Sequence, residues 1–168
     1  DSVLEKTELE DLYLPYKPKR RTKASIAREK GLEPLAQYLW DQVPAAQSLL
    51  EYAGAFVSAE KNVDSVEEAL TGAKHIIAEW ISENADFRKV VRQMMMDNGT
   101  VVSRAIEGAQ DPEGKYQMYA DYKEPVSKIP SHRMLAIRRG AKEEVLTFEI
   151  ELERSGPIAY LRNKILKA

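Results

Sequence analysis

The chain has 168 residues, enough for one substantial core or a small domain with an appendage, and its 43% hydrophobic and 31% charged composition is that of a folding sequence. A net charge of -2 argues against a surface coated with nucleic acid, so any polyanionic partner has to be met locally. Cysteine is absent, which removes disulfides, thiolate metal sites and cysteine nucleophiles and suits a cytoplasmic location; no apolar run is long enough for a membrane span, and the first residues given do not read as an apolar secretory segment.

Residues 3 to 14 carry Val3, Leu4, Leu9, Leu12 and Tyr13 at helical spacing, and Pro15 ends that pattern by its fixed φ and missing N–H. The adjoining "PYKPKRRT" is expected to be extended or turn-like. A second helix is expected after Thr22, running to Lys30 and closed by Gly31 as a left-handed cap. Leu32, Leu35, Ala36, Leu39 and Trp40 then repeat at core-facing helical spacing, with Pro34 in the first turn. A shorter helical candidate spans Pro44 to about Val57, interrupted by Gly54. Ser65 with Glu68 reads as a capping box ahead of the stripe Val66, Ala69, Leu70, Ala73, Ile77, Trp80 and Ile81. Asn84 caps the next helix, which carries Phe87, Val90, Val91, Met94 and Met95 and ends at Asn98-Gly99.

Beyond Gly99 the pattern changes. "TVVSRAI" reads as a short strand, "QDPEGK" as a turn, and Tyr116, Tyr119 and Tyr122 as a brief helix. Pro130-Ser131 opens a helix through "HRMLAIRR" to Gly140. Leu146, Phe148, Ile150 and Leu152 then alternate with polar residues, the period of a half-buried strand; either the one weak internal candidate, residues 100 to 106, or chain outside this sequence is expected to pair with it. Pro157 begins a last helix. The expected fold is mainly α: a multi-helix orthogonal bundle with one or two short β-strands near the C-terminal third. Residues 1–98 form a helical region with a basic Pro-flanked loop, and 99–168 a smaller mixed region packed on it.

Signals for chemistry are few. His75 and His132 belong to no HExxH arrangement, and His75 with Glu79 reads as an i, i+4 surface contact. There is no P-loop, nucleophile elbow or dinucleotide fingerprint, so catalytic residues, metal and cofactors are all expected to be absent. The methionine triplet 94–96 reads as helix core, and the tyrosines around 119 as packed rings with hydroxyls reaching water.

Charge is the stronger signal. Lys17, Lys19, Arg20, Arg21, Lys23, Arg28 and Lys30 stand against Glu29 alone, a local +6, directly after a segment of local charge -4. A second stretch carries Lys128, Arg133, Arg138, Arg139 and Lys142 with no acid between them, and counted along a helix these charges are spread around the cylinder. Two readings stay open: a solvated or ion-paired face, or contact with phosphate backbone through Lys17, Lys19, Arg20, Arg21, Lys23, Arg28, Arg133, Arg138 and Arg139.

"ELEDLYLPYKPKRRTKASIAREKGLEPLA", residues 8 to 36, closely resembles a signature of the bacterial Tex family of transcription accessory proteins, and "YADYKEPVSKIPSHRMLAIRRGAKEEVL", residues 119 to 146, resembles a second one in the right order. The resemblance implies a piece of a multi-domain, largely helical protein, taken from the helical part ahead of a ribonuclease-H-like domain and lacking the family's C-terminal OB-type RNA-binding domain. It implies RNA or DNA, the remaining domains of the longer protein and the transcription machinery as candidate partners, and a non-enzymatic module. The alternative is a purely structural interdomain scaffold without nucleic-acid contact.

Overall fold

The computed structural model describes residues 6–17, 21–42 and 48–167. In chain order the elements are α1 (Lys6–Tyr13), α2 (Lys23–Glu29), α3 (Glu33–Asp41), α4 (Leu49–Gly54), α5 (Val66–Glu83), α6 (Ala85–Asn98), β1 (Thr100–Ala105), β2 (Asp121–Pro125), α7 (Ser131–Lys142), β3 (Leu146–Glu151) and α8 (Ser155–Ile165). The chain divides into two compact units, residues 1–89 with 164–168, and residues 90–163. The fold is mainly α, as expected.

In the first unit α2 and α3 lie against α5. Ala24, Ala27, Leu32, Leu35 and Ala36 meet Ala69, Ala73 and Ile76, with Ala53 and Val63 closing the cluster. So many alanines let helix backbones come close, and Gly72 takes this furthest: a Cβ there would lie 2.3 Å from Leu32 Cδ1. Trp40 and Trp80 meet edge to face at 5.8 Å, and Tyr38 stacks on Tyr52 at 4.0 Å. The turn from α2 to α3 is a Schellman cap. Gly31, at φ +76°, donates its N–H to Arg28 O and Leu32 donates to Ala27 O, a conformation glycine adopts without Cβ strain.

The α-helix stops at Tyr13, before Pro15, and Leu14–Tyr16 form a 3₁₀ turn, the turn-like alternative expected there. Proline occupies an early helical position there, where its missing donor costs little. Two other local expectations are corrected by the structure. The capping box at Ser65 is half formed: Ser65 Oγ accepts from Glu68 N, but the Glu68 carboxylate accepts from Asp64 N and from Lys30. Complete boxes occur instead at Thr22 with Ser25 and at Ser48 with Glu51. Gly54 ends α4 rather than interrupting it; residues 43–47 of that helical candidate lie outside the described residues.

The second unit is built on a three-stranded antiparallel sheet of order β2-β1-β3, one strand more than the one or two expected. The extra strand is β2, which begins after a 3₁₀ turn at Gln117–Tyr119 and places Tyr122 opposite Ser103. Tyr122 therefore leaves the brief helix drawn through the three tyrosines. Its alternation with exposed Asp121, Lys123 and Pro125 has period two, and Pro125 suits the edge position it occupies. Of the two partners left open for residues 146–152, the internal one is used: β3 pairs with β1 from Leu146↔Ala105 to Glu151↔Thr100. α7 covers one face, bringing Ile137 against Val101, Tyr116, Tyr119 and Leu146. Gly140 permits the close approach: a Cβ there would sit 2.7 Å from Leu146 Cδ1 and 2.9 Å from Tyr116 Cδ1.

Candidate nucleic-acid interface

Of the first basic stretch, Lys19 and Arg20 lie outside the described residues. Thr22 sets the orientation of α2. Its Oγ1 accepts from Ser25 N at 3.0 Å and its own N–H donates to Ser25 Oγ at 2.9 Å, which starts the helix with Ala24 and Ala27 facing the core. The same rotation swings Arg28 toward α5. Arg28 Nη1 donates to Glu79 Oε1 at 2.6 Å and Nε to Glu33 Oε1 at 3.3 Å, while Thr22 Oγ1 donates to Glu79 Oε2 at 3.3 Å. The Glu79 side chain is only 10% exposed. Burial opposes the Arg28 charge, but the hydrogen bonds and attraction of Glu79 and Glu33 outweigh it and raise its pKa.

Lys30 is held in the same way, by Glu68 Oε1 and Asn62 O, each at 2.5 Å. Its ammonium, together with the Asp64 N–H, lowers the Glu68 pKa. Arg21 meets Glu29 at 3.1 Å in a pair that is mostly solvent-exposed on both sides. Lys17 and Lys23 are exposed and have no ion pair among the described residues. Lys23 borders a groove of about 280 Å³ between α2 and α5 with Ile26, Ala27 and Leu32 on its floor and His75 on its wall. Glu79 accepts from Arg28 and Thr22, while His75 lines the groove beside α2.

The second stretch is organised differently. Successive helical residues turn by about 100°, so Ser131, His132, Leu135, Arg138, Arg139 and Lys142 fall within an arc of about 120°. All six are exposed, while Ile137 and Gly140 face the core. Arg133 is on the opposite side. Its Nη1 donates to Tyr122 Oη at 3.2 Å and to Glu124 Oε2 at 3.2 Å, and the Tyr122 hydroxyl itself donates to Glu124. That hydrogen bond from Tyr122, with Arg133, holds the Glu124 carboxyl below the usual range, while burial pushes the Tyr122 hydroxyl up.

Arg133 is thus a staple between α7 and β2. Removing it from the count turns a charge that looked distributed around the helix into a single outward arc of Arg138, Arg139 and Lys142, with His132 at its N-terminal end. The next acid along the chain is Glu143, near Tyr116, whose hydroxyl pKa is pushed up by burial and then by Glu143.

Of the nine candidate phosphate contacts, the structure therefore turns Arg28 and Arg133 inward, pairs Arg21 at the surface, and leaves Lys17, Lys23, Arg138 and Arg139 exposed. Sequence reasoning missed Lys142 as a member of the α7 arc, which the helical spacing of 135, 138, 139 and 142 would have shown. It also missed the partners Glu79 and Glu68, 51 and 38 residues from their cations, for which no local signal exists. Among the described residues no group of three His, Cys, Asp or Glu is placed to hold a metal ion, and no helix is long and apolar enough to cross a membrane.

Residues 45–166 match the family model described as Tex central region-like. The chain is 47% identical over 161 residues, 95% of its length, to the uncharacterized protein YdcI of Bacillus subtilis, of which it covers 22%. It is 40% identical over 148 residues, 88% of its length, to the protein tex of Bordetella pertussis, of which it covers 18%. Its identity to the transcriptional accessory protein Tex of Neisseria gonorrhoeae is likewise 40% over 148 residues, covering 88% of this chain and 19% of that protein. The chain spans about a fifth of the length of these relatives.

Proposed function

This chain belongs to the Tex family, and from that premise we propose that it is a non-catalytic module of a longer transcription accessory protein that contacts the phosphate backbone of RNA or DNA. The observation that carries the reading is the outward arc of α7, where Arg138, Arg139 and Lys142 are exposed and engage no carboxylate among the described residues. Lys17 and Lys23 offer further contacts in the first unit. Arg28 and Lys30 are structural clamps in this reading, since their charge is already met by Glu79, Glu33 and Glu68.

Guanidinium and ammonium groups on one helical face attract a polyanion without reading its sequence, so the binding expected is weak, salt-dependent and tolerant of sequence. Among the arc's residues the only ring is the His132 imidazole, and no Phe, Tyr or Trp is present, so charge outweighs base stacking there. The test is a salt titration of RNA and DNA retention by the full-length protein carrying Arg138→Glu and Arg139→Glu, beside one carrying Arg20→Glu and Arg21→Glu. Loss of retention in the α7 variant, with melting unchanged, supports the reading.

The second reading, an interdomain scaffold, is favoured by one observation: two cations of the basic stretch, Arg28 and Lys30, are committed to helix α5 and the turn before it. Under that reading both variants bind as the parent does, and substitutions at Arg28 lower stability alone.

A further inference from the structure

The first helix is mounted with its polar side inward. Asp11 is 5% exposed and accepts from Arg88 Nε at 2.7 Å, and Glu8 accepts from Lys89 Nζ at 2.8 Å. These two ion pairs fix the rotation of α1 against the start of α6. As a consequence Leu9, Leu12, Tyr13 and Tyr16, which recur at i, i+3, i+4 and i+7, face away from the fold. Their exposures are 56%, 52%, 56% and 79%. Single exposed apolar residues are ordinary on protein surfaces, but four in one stripe along an eight-residue helix and its 3₁₀ extension form a contiguous patch of the kind that marks an interface.

We propose that this stripe is the seat for another segment of the same longer polypeptide, one lying outside residues 1–168. Two observations select the occupant. The relatives are between four and five times as long as this chain, so most of the polypeptide is available to cover it. The stripe is also too small for a second copy: a stable homodimer buries roughly 800 Å² on each partner, contributed by about 20–30 residues, and four side chains fall well short of that. A segment tethered in the same chain meets the stripe at an effective concentration on the order of millimolar, so a small apolar contact suffices. Such docking is independent of phosphate binding by α7. Its consequence is positional: the covered stripe ends at Tyr16, next to Lys17, so docking holds the start of the basic stretch against a neighbouring part of the protein.

The experiment uses the full-length protein with Tyr16→benzoylphenylalanine, irradiated at low concentration and mapped by mass spectrometry. Crosslinks within one molecule, from position 16 to a residue outside 1–168, are expected. Crosslinks between two copies, to a different protein or confined to residues 1–168 overturn the proposal, as does their absence. Hydrogen exchange gives a second readout that does not rely on the probe. In full-length Leu9→Lys/Leu12→Lys, residues 6–16 and one segment beyond residue 168 or before residue 1 are expected to exchange at least tenfold faster. If only residues within 1–168 change, or if the parent's protection depends on protein concentration, the seat does not exist.

Discussion

Residues 17–30 and residues 128–142 carry comparable positive excess, seven cations against Glu29 in the first and five against none in the second. In the first, the residues with described side chains are largely taken up: Arg28 reaches Glu79 and Glu33, Lys30 reaches Glu68, and Arg21 pairs with Glu29. In the second, only Arg133 turns inward, to Tyr122 and Glu124. Charge density along the sequence is therefore a poor measure of charge offered to a partner. What decides the matter is which face the apolar residues leave outward, and whether a carboxylate from a distant helix or strand stands opposite the inward one.

The largest effect that sharpens this contrast is expected at the inward clamp. Glu79→Ala leaves Arg28 and Thr22 without their shared acceptor, and should lower stability by about 2 kcal/mol in urea unfolding, because a part-buried charge loses its partner. The double replacement Arg28→Met with Glu79→Leu should restore most of that loss, since it removes both charges together. Neither variant should alter the salt dependence of nucleic-acid retention. A changed slope would return Arg28 to the binding surface.

Next in size is the α7 arc. Arg138→Glu with Arg139→Glu should weaken retention of RNA or DNA at least tenfold, about 1.4 kcal/mol, and lower the slope of log affinity against log salt by about two. Stability should stay within about 0.5 kcal/mol, as for exposed substitutions generally. Full retention would collapse the difference between the two stretches into one of packing alone.

A smaller and pH-dependent effect is expected at the staple. The Glu124 carboxyl is held low in the folded protein by Tyr122 and Arg133, so its contribution to stability is present above the ordinary carboxylate value and is lost as pH falls through the lowered folded value. Glu124→Gln should flatten the decline of the urea midpoint below about pH 5. An acid limb as steep as the parent's would show that the pair with Arg133 does not couple to folding. The smallest effect belongs to Arg21→Ala, where an exposed ion pair with Glu29 should contribute no more than about 0.5 kcal/mol to stability.

Much of the secondary structure was legible because it is set by neighbours in sequence. The caps at Thr22, Gly31 and Asn84, and the stripe of α5, arise from local hydrogen bonding and helical periodicity, and the structure has them where those patterns put them. The strand at 146–151 was readable from alternation and that at 100–105 from its β-branched run, while their pairing was one of two open options. β2 was missed although its alternation is present, because three tyrosines spaced by three suggested a brief helix. The Tex signatures were legible as words before any geometry was known, and residues 45–166 match that family's central region.

By itself, then, the order of residues determined where helices begin and end, which side of each is apolar, and to which family the chain belongs. These depend on interactions within a few residues or on the identity of the string. Only the tertiary structure decided which cations are offered to solvent. Arg28 and Arg133 are silenced by Glu79 and Glu124, and α1 is rotated by Asp11 on Arg88, partners brought together by packing rather than by spacing. An ion pair forms between whichever side chains the core leaves facing each other, and that is settled by how helices and strands pack, at separations no local pattern encodes.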